Sequence, residues 1–381
     1  MKILKWAGLL GIITSAYPIM AQTRVVTTAV PTLRIAPDAR AAGMGDIGVA
    51  TTPDASTTYW NTAKLAFVEH KSAVQFSAIP WLHALVNDIW IYYLSGYYRV
   101  DDQQTLGGAV RYFDLGSLTC TDYNGEPIGE SNPHEYAVDV SYGRKFSPNF
   151  SLGLGLRFIY SNLTTGGCRA ALGNTFELKP AGTSVAGDIG FYYRKPFDYK
   201  GNDAHWAIGV NISNIGSKIA YTETTIRDFI PTNFGLGGAV YLPIDNHNEL
   251  TIAAEINKLM VPTPDPLGQY RQKSVVEGML TSFFDAPGGF KEELQETNFA
   301  IGLEYWYLKQ FAVRTGYFYE HPQKGNRQYA TLGVGLRFKM FSLDISYLLP
   351  TTRQPSPLQN TFRFTFHFTI DKGDSEVEPR E

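Results

Sequence analysis

Long apolar runs are missing from this sequence. Past its first residues, nothing approaches the roughly 18 consecutive apolar residues that a membrane-crossing helix requires. The mean hydropathy of -0.16 is too polar for a bundle of such helices. Charge is also scarce, at 18% of residues and a net -3, so there is no basic footprint for nucleic acid. Cysteine is nearly absent, with only Cys120 and Cys168 and no C-x-x-C. The seven histidines, His83, His134 and His247 among them, stand without ligand spacing, so neither a metal nor another cofactor is expected. A G-x-S-x-G nucleophile turn is lacking too. These absences point away from an enzyme. A length of 381 residues fits two soluble domains or one large barrel, and decides little.

What is abundant is aromatic and glycine content: 23 Tyr, 23 Phe and 36 Gly. From Ser72 onward these residues fall into segments of period two. In the run from Ser151 to Ser161, Leu152, Leu154, Leu156, Phe158 and Tyr160 share one face, opposite Ser151, Gly153, Gly155, Arg157 and Ser161. Thr331 to Phe338 repeats the design, and Phe362, Phe364, Phe366 and Phe368 oppose Arg363, Thr365, His367 and Thr369. Successive side chains of a strand point to opposite faces, so each segment has one apolar side and one polar or tiny side. A soluble sandwich alternates as well. Here, however, the polar faces carry many charges (Arg111, Asp139, Arg157, Asp188, Glu255, Glu304, Arg314, Arg337, Asp344). Aromatics gather towards segment ends, as in Tyr97 and Tyr98, Tyr192 and Tyr193, and Tyr317 and Tyr319. Such a pattern predicts an all-β transmembrane antiparallel barrel, with apolar faces towards lipid and aromatic girdles at the interfaces. The inward charges then either line a solute path or form ion-pair networks that fill a narrow lumen; the network is favoured.

Strands are expected near 72–79, 87–100, 104–115, 135–146, 149–163, 182–195, 204–215, 232–243, 247–258, 297–308, 310–320, 327–338, 341–349 and 360–370, about fourteen in all. Tight turns fall at Asp101-Asp102-Gln103, Ser147-Pro148-Asn149, Asp245-Asn246, Lys309-Gln310 and Lys339-Met340, with a longer connection at 196–203. Longer loops alternate with them at 116–134, 164–181, 216–231, 259–296 and 350–359. Short turns belong in the periplasm and long loops outside, and an even strand count places both termini in the periplasm of an outer-membrane protein.

Four regions follow. Residues 1–21 read as a secretory leader: Lys2 and Lys5, an apolar core from Trp6 to Ile13, and Ala21 before Gln22, with cleavage after Ala16 as the other option. No Cys follows the leader, which excludes a lipoprotein. Residues 22–71 do not alternate and form an N-terminal plug or hatch; residues 72–370 form the barrel, and residues 371–381 an acidic periplasmic tail. Cys120 and Cys168 both fall in outer loops, where they either pair or remain as two thiols.

Two outer segments are candidate partner-binding sites. Pro80 to Leu85 is an apolar turn in which Trp81, Leu82 and Leu85 serve as a binding hot spot or, for Trp81, a membrane-interface anchor. The loop from Leu259 to Glu296 includes a candidate short helix over Ser274 to Leu280, followed by Phe283 and Phe284. It is a lid over the barrel mouth, a docking element or a plain solvated loop.

Gly43-Met44-Gly45-Asp46-Ile47-Gly48 matches the G-x-G-x-x-G dinucleotide pattern, but Pro37 interrupts the segment before it and no βαβ unit follows. These are read as close-packing glycines of the plug. The run from Ala36 to Gly45, with Pro37, Asp38, Arg40, Gly43 and Gly45, continues to Gly48-Val49-Ala50 and Asp54-Ala55. Together with Tyr59-Trp60-Asn61-Thr62-Ala63-Lys64, it resembles the start of the PorV family, the outer-membrane barrel component of type IX secretion in Bacteroidetes. That family is similar in turn to FadL-like barrels, which have fourteen strands and an N-terminal hatch. The resemblance implies a non-enzymatic role: binding the C-terminal signal domains of secreted cargo at the translocon pore protein and delivering them to a cell-surface sortase. FadL-like proteins carry Asn-Pro-Ala-Gly where this chain has Asn61-Thr62-Ala63-Lys64, a departure at the hatch that bears the ligand path in that group. A FadL-like channel for hydrophobic compounds, embedded in outer-membrane lipid, is the alternative.

Overall fold

The computed structural model describes residues 24–172, 179, 181–222, 226–352, 358–359 and 361–370. The expected leader, the acidic tail and parts of three long loops lie outside them. Strands β1 (Ser72–Pro80), β2 (Trp90–Arg99), β3 (Gln104–Asp114), β4 (Leu118–Thr121), β5 (Pro127–Ser131) and β6 (His134–Ser147) come first. Then follow β7 (Phe150–Asn162), β8 (Gly182–Tyr199), β9 (Asn202–Gly216), β10 (Asn233–Pro243) and β11 (Asn248–Leu259). The last are β12 (Thr297–Tyr307), β13 (Phe311–Tyr319), β14 (Gln328–Phe338), β15 (Phe341–Pro350) and β16 (Phe362–Ile370). All but β4 and β5 close an antiparallel barrel of fourteen strands, sealed where β1 pairs with β16 from Ser72↔Ile370 to Ala78↔Phe364. Each of the fourteen coincides with an expected segment to within a few residues.

The barrel is apolar outside and polar inside. Leu156 is 62% exposed, whereas Arg157 beside it is only 4% exposed. A closed sheet has no edges, so its backbone polar groups are satisfied in the ladder and the outer face can meet hydrocarbon. Outward aromatics form rows near both rims. At one end, Tyr112, His134, Tyr160 and Tyr136 stack with centroids 6.2, 6.0 and 4.7 Å apart. At the other, Tyr193 meets Trp206 at 5.4 Å and Phe341 meets Phe368 at 5.1 Å. Of the adjacent tyrosines expected in the girdles, Tyr97 and Tyr192 are instead buried in the lumen, because neighbours on a strand face opposite ways.

Three expectations for the connections are corrected. The segment 196–203 is no longer loop, since β8 and β9 run on to Tyr199 and Asn202 and leave only Lys200 and Gly201 between them. Both have positive φ (55° and 82°), the geometry that matches the twist of a two-residue hairpin. The 116–134 loop contains the β4–β5 hairpin. The third concerns the N-terminal end. Arg24 donates to the Pro264 carbonyl (3.2 Å) and Ala29 N–H to that of Phe229 (2.9 Å), both in long loops. The described chain therefore starts at the long-loop end, runs down the lumen and enters β1 at the short-turn end. Arg24, the first described residue, thus lies at the long-loop end and not at the short-turn end expected for both termini; Ile370, the last described residue, lies at the short-turn end.

Glycines on the inward faces make room for that descent. A Cβ on Gly153 would lie 2.2 Å from the Ala63 nitrogen and the Thr62 carbonyl carbon. One on Gly316 would meet Met44 at 2.1 Å, and one on Gly209 would meet the Val49 carbonyl at 2.3 Å. Part of the glycine content is thus the imprint of the segment it encloses.

Candidate functional site

The N-terminal segment is held by short elements and buried polar contacts. Helix α1 (Ala39–Gly43) is capped by Asp38, whose carboxylate accepts from Ala41 N–H (2.8 Å) and from Trp60 Nε1 (2.7 Å). Trp60 ends α2 (Thr57–Trp60), and its ring lies over Gly48. Pro37 is buried just before the cap. Gly43 rests on the Cα of Gly333, and Gly45, with φ of 83°, on the backbone of Tyr317. The G-x-G-x-x-G glycines are therefore closed under protein rather than open to a pyrophosphate. Asn61 donates to the carbonyls of Val49 (3.0 Å) and Phe191 (3.1 Å), fixing the segment to β8.

Arg40 links this segment to a chain of charges across the barrel. Its guanidinium contacts Glu304 (2.7 Å) and Asp54 (2.8 Å). Glu304 also binds Arg314 (2.6 Å), Arg314 binds Asp344 (2.6 Å), and Asp344 faces His367 Nε2 at 3.0 Å. Across the lumen Arg157 bonds Asp139 (2.5 Å), Asp188 (3.1 Å) and Asn214, while Glu255 accepts the amides of Gly48 (2.9 Å) and Val49 (2.8 Å). Glu304 and Arg314 stand opposite each other in register, as do Asp139 and Arg157. Buried charges persist only when paired in this manner. Arg337, by contrast, lies exposed at the short-turn end against the Trp306 ring.

These environments shift ionisation. Burial pushes the Asp54 carboxyl up, but the charges of Arg40 and Lys64 outweigh it and hold the group at about 2. For Asp38 burial prevails, aided by the charge of Asp54, and its carboxyl rises above the usual range. The buried Lys64 ammonium, bonded to the Gly48 carbonyl (2.6 Å), is held down at about 8 by desolvation.

Between this segment and β9 to β12 lies a cavity of about 80 Å³. Its lining includes Arg34, Asn211, Asn233, Asn257, Asn298 and Arg327. Leu33, Val49, Trp60 and Phe318 also line it, and the lining is therefore mixed rather than wholly apolar.

The outer loops form the second region. Cys120 on β4 and Cys168 on helix α3 (Gly166–Leu172) are joined by a disulfide, which ties the hairpin to the neighbouring loop. In the 259–296 loop, helix α4 (Val275–Thr281) starts at a capping box of Ser274 and Glu277, and α5 (Phe290–Gln295) follows. Lys258 binds Glu293 (2.8 Å) and Glu296 (3.0 Å); Lys324 binds Glu292 (2.5 Å), Glu296 (3.0 Å) and the Arg24 carbonyl (2.9 Å). This cluster fastens the loop, and with it the start of the described chain, to the barrel rim. Sequence reasoning missed it, because its members are scattered in sequence and carry no spacing signal.

The hatch residues singled out in the sequence are brought together; the partner-binding candidates are not. Trp81 is half-buried against Ile79, Ile91 and Phe113, contrary to its exposed look in sequence, and Leu82 is half-buried with φ of 52°. Leu85 is exposed. Phe283 packs edge-on against Phe234 at 6.4 Å, while Phe284 is 87% exposed. The two candidate loops are separated around the rim by β13 to β16 on one side and by β3 to β10 on the other.

A closed fourteen-stranded barrel, apolar outside and filled by its own N-terminal segment, defines an outer-membrane β-barrel protein. The fold is that of the monoaromatic hydrocarbon channel CymD, with a TM-score of 0.50 at 13% identity, covering 89% of this chain and 99% of that one. The Ralstonia pickettii toluene transporter TbuX aligns with a TM-score of 0.48 at 10% identity, covering 87% and 98% of the two chains. No protein of curated function matches the chain in sequence. The family model described as "Type IX secretion system protein PorV" matches residues 19–266, and the chain belongs to the PorV family.

Proposed function

We propose that this protein acts without catalysis of its own, binding the C-terminal signal domains of secreted cargo at the translocon pore protein and passing them to the surface sortase. The observation that carries this reading is an inverted helix pair on the long-loop face, which is the outer face by the length rule for barrel connections. In α4 the buried residue is Gly278, while Val276 and Leu280 are exposed one turn apart. In α5 the buried residue is Glu293, and Phe290 (77% exposed) and Leu294 point outward. Phe284 lies between the two helices in sequence. Apolar side chains turned to solvent from a loop pinned by ion pairs are the mark of a docking surface.

The other reading, a channel for hydrophobic compounds, is disfavoured by the ion pairs that lock the hatch. Two experiments separate them. Changing Phe284 and Phe290 to Ser should abolish co-purification of cargo signal domains and leave the barrel folded. Deletion of the gene should stop release and surface attachment of such cargo while growth on lipophilic substrates continues. Normal secretion in the deletion strain would sink the shuttle reading.

A further inference from the structure

The luminal cavity contains a cation that its surroundings leave uncompensated. Of the charges lining it, Arg157 is neutralised by Asp139 and Asp188, and Arg327 forks onto Glu320 (2.8 and 2.7 Å). Asp46 accepts from the Tyr329 hydroxyl (2.5 Å) and faces Arg363 (3.3 Å); Glu255 is taken up by the Gly48 and Val49 amides. Arg34, at the end of the short turn Pro31–Arg34, makes no side-chain hydrogen bond or ion pair with any described residue. It is half-buried, and desolvation together with the charge of Arg327 holds its guanidinium down at about 10. Glu320 attracts it, but both carboxylate oxygens are already engaged by Arg327.

The opposite wall has complementary vacancies. Asn211 is 5% exposed, and its Oδ1 has no partner; the buried Oδ1 of Asn233 is in the same position. Gly235 lies between Asn211 and Asn257 in the cross-strand row, where a Cβ would meet Asn257 Oδ1 and Val49 Cγ2, each at 3.1 Å. An asparagine amide can present its NH2 by rotation, so Asn211 can serve as a donor, whereas the Asn233 NH2 is already given to Asn257 Oδ1 (2.8 Å). Water would satisfy the amides but leave the charge, and an apolar guest would orphan both.

We propose that this cavity is a binding site for a small oxyanion of the carboxylate or phosphate type, held by Arg34 with Asn211. The anion neutralises the Arg34–Arg327 repulsion and so fastens the N-terminal segment to the loop before β14. A cavity of about 80 Å³ suits an anion of a few heavy atoms and excludes a lipid chain.

The test uses the full-length protein in detergent, with unfolding followed against temperature in sodium acetate or sodium phosphate. Sodium chloride at equal ionic strength is the reference. Acetate, phosphate or both should raise the midpoint in a saturable manner, as expected for a ligand of the folded state. The active anion identifies the source chemistry. Arg34→Gln should weaken the response at least tenfold. Asn211→Asp, which keeps the shape but adds a negative charge, should weaken it as well and guards against a folding defect in the first variant. A response no greater than that to chloride, or an Arg34→Gln response equal to the parent's, overturns the proposal.

Discussion

At the scale of single residues, the lumen depends on charge pairs with little redundancy. Arg314 is 1% exposed and sits between Glu304 and Asp344. Replacing it with Met leaves Asp344 without its arginine, and breaking a buried pair in this way costs about 3–5 kcal/mol. Denaturant unfolding of Arg314→Met in detergent should show that loss; a change below about 1 kcal/mol would mean that the network is not what holds the barrel. Asp54 gives a pH signature. Its folded carboxyl titrates at about 2, below the ordinary 3.8, so the unfolded chain takes up the proton first as the medium is acidified. The stabilisation is complete above the unfolded value and is lost as pH falls from there through about 2. Thermal midpoints between pH 5 and pH 2 should drop less steeply in Asp54→Asn than in the parent.

Among elements, the strands were legible and the pieces that fill and cap them were not. Period-two alternation marks a strand directly, and residues such as Leu154 and Arg157 declare opposite faces from sequence alone. Asp38, Arg40, Trp60 and Asn61 were recognisable as a set, but not the partners they choose. Glu304 lies 264 residues beyond Arg40, and nothing local in the sequence encodes that pairing. The β4–β5 hairpin was hidden because its strands are short and mostly exposed, without an apolar face to alternate. The inward glycines mark the polar or tiny face in the sequence, and only the structure shows that they form the mould of the enclosed segment. Gly153→Leu should therefore displace residues near Ala63 without unmaking the sheet. Limited proteolysis should then cut within residues 24–71 while the barrel core resists, and unchanged protection would refute the fit.

On the level of the whole molecule, the path of the N-terminal segment sets its sidedness. With long loops outside, Arg24 stands at the outer mouth and Ile370 at the periplasmic rim. A membrane-impermeant maleimide should label Arg24→Cys on intact cells. Labelling only after the outer membrane is opened would reverse the orientation. The same path joins two regions far apart in sequence, since Lys324 holds both the Arg24 carbonyl and the glutamates of the 259–296 loop. A partner that pulls on that loop pulls on the plug.

Enclosure also imposes an order on assembly. The Ala39 amide donates to the Thr365 hydroxyl at 2.8 Å, joining the first part of the chain to the last strand, and Thr365 in turn meets Ser77 across the β1–β16 seam. A segment synthesised before every strand is thus surrounded by all of them, and contacts this remote in sequence form late. The seam and its tenant share the Thr365 hydroxyl, so slackening either one slackens the other.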